Sequence, residues 1–213
     1  MWALGAWLLG CVAVWRMAPA ILDAMLAPLP APAVYLGPAD GFMLYCKIAM
    51  LGGAVLASPV IAWQAVGFIR PALKAREQRA LGAVLAGGVV CFAAGAWFAW
   101  RFLLPSTTGF LLSFASERLR PQIVADGYVN YVLLLALGCG ASFELPVATA
   151  ILARLGLIAP RTLARQWRTA IFGCFVLAAV VTPSPDAFTM LMVALPLVAL
   201  YGMGILTAMA AAR

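Results

Sequence analysis

The sequence predicts an all-α integral membrane protein with six transmembrane helices. Three observations predict it. Of 213 residues, 66% are hydrophobic and 10% charged, whereas a soluble domain carries ~45–50% apolar and ~25% charged residues. A chain of this size cannot hide that excess in one soluble core, because roughly a quarter to a third of the unfolded surface stays exposed after folding. The apolar residues also fall into six runs, most of them near the ~20 residues needed to cross ~30 Å of hydrocarbon. Composition therefore weighs against a soluble enzyme, a disordered protein and a DNA-binding domain, and no nucleic-acid partner is expected.

The first run covers residues 2–22, interrupted by Arg16 and Pro19. It has no basic n-region and no clear cleavage site, so it reads as a retained span rather than a signal peptide. The second, 42–69, contains Lys47, Pro59 and Gln64; the third covers 80–104. The fourth, 128–155, contains Glu144 and Pro146. The fifth, 167–181, reaches only ~22 Å at 1.5 Å per residue, so local thinning of the bilayer or tilting of neighbours is expected around it. The sixth, 187–211, contains Pro196. Residues 24–41 hold four prolines and cannot form one continuous helix. Residues 105–126 read as a polar excursion, and Thr182-Pro183-Ser184-Pro185-Asp186 as a tight turn. The whole chain, 1–213, reads as a single membrane domain.

Cytoplasmic loops are enriched in Lys and Arg. With six spans, Arg70, Lys74, Arg76, Arg79, Arg154, Arg161, Arg165, Arg168 and Arg213, nine of the 14 basic residues, lie on one side. That places both termini inside. Arg16 and Lys47 then fall near the outer surface, where long side chains snorkel.

The chain has no histidine, which excludes Ser-His-Asp and Cys-His catalysis and His-ligated metals. Its five cysteines are widely spaced in apolar runs, without a CxxC motif, and read as small hydrophobes. No cofactor or metal is expected.

Only seven acidic residues remain to be weighed. Glu144 stands near the middle of the fourth span, where an ionisable group costs at least ~2.5–3.5 kcal/mol. It must face a cavity or a neighbouring helix. Pro146 frees the carbonyl of Ser142 and makes the patch more polar. One reading is a neutral carboxyl satisfying a helix–helix hydrogen bond; the other is a contact point for a partner or substrate segment. Glu77 is the one carboxylate of the inner loops. It is either a surface ion pair with Arg76 or Arg79, worth ~0–1 kcal/mol, or an acceptor for a cationic ligand such as a guanidinium. Asp186 can cap the sixth helix.

These segments resemble the TatC family, the multispanning receptor subunits of the twin-arginine protein translocase. The resemblance rests on Pro59 with Gln64; on Phe68-Ile69-Arg70-Pro71-Ala72-Leu73 followed by Arg76-Glu77-Gln78-Arg79; on Gly140-Ala141-Ser142-Phe143-Glu144-Leu145-Pro146; and on Thr182-Pro183 with Pro185-Asp186, then Pro196 and Tyr201. It implies a concave six-helix bundle with short fifth and sixth spans, in a bacterial cytoplasmic membrane. It implies a non-enzymatic function: binding the twin-arginine signal peptides of folded proteins and organising their export, driven by the proton-motive force. Glu77, flanked by Arg76 and Arg79, falls on the signal-peptide contact. Glu144 falls on a buried polar cluster, with Gln64, Ser142 and Thr182 near it and Pro183, Pro185 and Asp186 in the periplasmic turn. The implied partners are TatA-like and TatB-like single-span subunits, signal peptides, the lipid bilayer and further copies of the chain.

Three departures from the family pattern stand out. Family members begin with a cytoplasmic amphipathic stretch that supplies a second acidic contact, whereas this chain starts almost directly with the first span; either the stretch is lost or the start lies further upstream. Met190 stands in the stretch where the family often has Gln, and Gly202 where it commonly has Glu. The competing reading is a small solute permease using Glu144 as an ion or proton site, but no inverted repeat and only one deep carboxylate are present. An intramembrane aspartyl protease needs two aspartates at the site, and Asp186 in a turn cannot supply both.

Overall fold

The computed structural model describes residues 2–69, 75–116, 121–154, 158–182 and 186–211. The described helices are α1 (Trp2–Leu26), α2 (Asp40–Ile69), α3 (Ala75–Phe98), α4 (Leu104–Leu112), α5 (Ala125–Ser142), α6 (Leu145–Arg154), α7 (Pro160–Arg165), α8 (Trp167–Val181) and α9 (Ala187–Ala211), with a π-helical turn, Ala99–Leu103, joining α3 to α4. Among the described residues five stretches are long and apolar enough to cross a membrane: Ala3–Leu26, Asp40–Ile61, Leu85–Leu112, Ala125–Ala153 and Ala187–Met209. The 15-residue α8 is the shorter sixth. The chain divides into two compact units.

The first unit holds residues 1–85 and 108–133. Its centre is the antiparallel pair α1–α2. A Cβ on Gly53 would stand 2.6 Å from the Cys11 backbone nitrogen, so only glycine lets the two backbones come this close. The Trp7 indole N–H donates to the Met50 carbonyl at 3.1 Å, and Trp15 meets Phe42 and Tyr45 edge-on. The connecting loop is pinned. The Asp40 carboxylate accepts the Leu36 and Gly37 N–H groups at 2.9 and 2.8 Å. Val34 makes a parallel backbone bridge to Val124. Lys47 pairs with Asp126, which also accepts from the Asn130 amide.

The second unit holds residues 86–107 and 134–213. Leu103, Leu135, Ala178, Val193, Ala194 and Leu197 are among the residues that form its core. Three features differ from the expected elements. The third span does not end at residue 104 but runs to Leu112. Pro105 removes one N–H and the ring crowds the carbonyl four residues back; the turn before it widens, with the Leu104 N–H donating to the Ala99 carbonyl. The fourth span is two helices, parted at Phe143–Glu144, because Pro146 cannot donate to the Ser142 carbonyl. Of the two spans expected to be short only the fifth is. The 25-residue α9 accommodates Pro196 in its interior, as membrane helices do where neighbours re-satisfy the freed backbone.

Candidate functional site

Glu144 sits in the break between α5 and α6. Its carboxyl oxygens face the backbone of α3: a Cβ on Gly88 would lie 3.2 Å from Oε2 and 3.4 Å from Oε1. The glycine thus leaves the carboxyl room that any other residue would crowd. Among the described residues the carboxyl has no ion-pair or hydrogen-bond partner. Glu144 is half-buried. A carboxyl at this depth without an internal partner can accept a donor brought by another molecule.

The hydroxyls of Ser142 and Thr182 are already satisfied. Ser142 Oγ donates to the Gly138 carbonyl at 2.6 Å, and Thr182 Oγ1 to the Ala178 carbonyl at 2.8 Å. Both are buried, and each bonds back onto its own helix rather than to Glu144. Gly138 and Val181, one residue before Thr182, pack directly together. Ser142 ends α5 and Thr182 follows α8, and each hydroxyl is engaged by its own helix. Phe143 turns toward α3, tilted against Phe98 at 5.8 Å.

The break is braced from α9. Thr207 Oγ1 lies 3.0 Å from both the Pro146 carbonyl and the Gly204 carbonyl of its own helix, while Thr149 Oγ1 is 2.9 Å from the Leu145 carbonyl one turn back and 3.2 Å from the Gly204 carbonyl. Tyr201 Oη donates to the Leu163 carbonyl of α7 at 2.7 Å. The sequence reading missed Thr149, Thr207 and Gly88. The signal was present for the threonines: a hydroxyl in an apolar helix needs an acceptor, either on its own helix or on the next. Asp186 caps α9 as expected, accepting the Thr189 N–H at 2.6 Å.

Gln64 belongs to the first unit, on α2, and its amide nitrogen is buried without a hydrogen-bond partner among the described residues. Arg76, Glu77 and Arg79 fall in the opening turns of α3, and their side chains lie outside the described residues, as do Pro183 and Pro185.

The fold and this site define a class: a helical membrane protein of several spans, with a carboxyl in a broken span that has no partner among the described residues. Comparison with known proteins gives the family. The model of the Sec-independent protein translocase protein (TatC) family matches residues 1–196, and the chain belongs to that family. It is 33% identical to the Sec-independent protein translocase protein TatC of Carboxydothermus hydrogenoformans, over 94% of this chain and 84% of that protein. It is likewise 33% identical to the chloroplastic TATC of Pisum sativum, over 92% of this chain and 56% of that longer protein. A crystal structure of the twin-arginine translocase receptor TatC superimposes with a TM-score of 0.85 at 32% identity, covering 99% of this chain and 95% of that one.

Proposed function

We propose that this chain is the receptor subunit of a twin-arginine translocase in a bacterial cytoplasmic membrane, with both termini cytoplasmic. It binds the signal peptides of folded proteins and organises their export with TatA-like and TatB-like single-span subunits and further copies of itself, driven by the proton-motive force. The observation that carries this reading is the near-complete likeness in fold, at 32% identity, to a solved receptor, together with a Glu144 carboxyl that has no partner among the described residues.

In this reading Glu77 at the start of α3 accepts the paired guanidinium groups, in a setting where a carboxylate near the membrane surface pairs more strongly than in bulk water. Glu144 accepts a polar group from a partner span, and the orphaned Gln64 amide offers a further donor. The role is one of binding and positioning, without a catalytic residue. Crosslinking of a twin-arginine signal peptide tests the first contact: Glu77→Ala and Glu77→Lys should weaken it, and unchanged crosslinking would move the contact elsewhere. Co-purification tests the second: Glu144→Leu should insert normally and lose the single-span subunits, whereas intact complexes would leave the carboxyl a structural role.

A further inference from the structure

One face of α1 changes character along its length. Leu9, Val12, Arg16, Ala20 and Asp23 follow one another at helical spacing, and all five are exposed. Leu9 and Val12 are 74% and 62% exposed, which suits acyl chains and nothing aqueous. Arg16 and Asp23 have no ion-pair partner among the described residues. By length and composition alone the whole of Ala3–Leu26 passes for a span. An exposed, unpaired carboxylate cannot rest in hydrocarbon, and an unpaired guanidinium there is nearly as costly. Moreover, α1 runs toward the 27–39 loop, and side chains on a helix lean toward its N-terminus. The Arg16 side chain therefore starts in the direction away from the loop end and cannot easily reach a distant interface.

We infer that Arg16 binds the phosphate of a phospholipid headgroup, and that the hydrocarbon ends at its level on the loop-bearing side of the α1–α2 pair. Residues 17–26, Asp23 among them, then stand in headgroups and water. The surroundings agree. Trp15, beside Arg16, meets Phe42 and Tyr45 at 5.8 and 6.3 Å between ring centroids, the kind of aromatic girdle found at membrane–water interfaces. The same register brings Lys47 of α2 within about a turn of Arg16 along the pair, where it holds Asp126. Lys47 is thereby committed to a carboxylate and Arg16 is left for an external anion. Continuity with the Leu9–Val12 stripe makes that anion a lipid phosphate rather than a free one, and a guanidinium matches its geometry.

The test uses the full chain in nanodiscs of phosphatidylglycerol and phosphatidylethanolamine. Native mass spectrometry counts the phospholipid retained when the protein is released. Arg16→Gln should lower retention about five-fold, the worth of one basic side chain at an anionic surface, and Arg16→Lys should restore most of it. Unchanged retention in Arg16→Gln, or displacement of the lipid by millimolar inorganic phosphate, would overturn the assignment. The boundary is read separately with Asp23→Cys and a membrane-impermeant maleimide mapped by peptide, with native Cys11 as the reference. Labelling at 23 and not at 11 supports it. Labelling at 23 only after detergent is added places residues 17–26 in the acyl chains and sinks the inference.

Discussion

The α1–α2 pair of the first unit and the α6–α9 pair of the second are both antiparallel helix contacts within apolar sequence, yet they are held by different means. The first is a matter of shape: Gly53 lies against Cys11 with no space for a side chain, and rings close the gaps at the loop end. The second is a matter of donors and acceptors, with the Thr207 hydroxyl within reach of a carbonyl across the interface and the Thr149 hydroxyl set beside the Gly204 carbonyl. The difference follows from what each must accommodate. A continuous helix satisfies its own backbone and needs only close packing. A span interrupted at Phe143–Glu144 loses the usual donor to its Ser142 carbonyl, and the polar contacts from α9 fall just beyond that point, on the Pro146 carbonyl and beside Thr149.

Substitutions can break or sharpen this contrast. The largest effect is expected from Gly53→Leu, which forces the α1 and α2 backbones apart; overpacking of this kind costs about 3 kcal/mol and should show as lost thermal stability in detergent. If Gly53→Leu were tolerated, shape would not be what holds the first pair. Asp186→Ala removes the α9 cap and should cost about 1 kcal/mol, seen as faster amide exchange in the first turn of α9. Thr207→Val is expected to cost about 0.6 kcal/mol, the average for a hydrogen bond between membrane helices. It should also weaken partner co-purification more than thermal stability; equal losses would make Thr207 a plain packing residue. The smallest effect belongs to the Lys47–Asp126 pair. A double-mutant cycle with Lys47→Met and Asp126→Asn should give a coupling of about 0.5 kcal/mol, reduced by added salt.

Much of this was legible in the residues, for identifiable reasons. Long apolar runs have one outcome in a bilayer, so the spans could be read directly, and Glu144 was conspicuous because so few acids exist. Proline was read less well. Pro146 was recognised as freeing the Ser142 carbonyl but not as dividing the span into α5 and α6, and the Thr207 contact just beyond the break comes from 61 residues away. Pro105 was taken as the end of a span when the chain passes it by widening one turn. Ser142 and Thr182 were placed near Glu144 by the family resemblance, and what could not be read was that each hydroxyl bonds the backbone carbonyl four residues back. The Gly88 cradle had no signal, because nothing in the order of residues tells which glycine will face a carboxyl.

The widened turn at Ala99–Leu103 also bears on how the chain tolerates changes in length. A single deletion in an ordinary membrane helix rotates everything beyond it by about 100° and turns its lipid face inward. Here an extra residue is already absorbed within five positions, so losing one of them would let the segment rewind to regular geometry. This stretch is where relatives that differ by one residue could still thread the same bilayer.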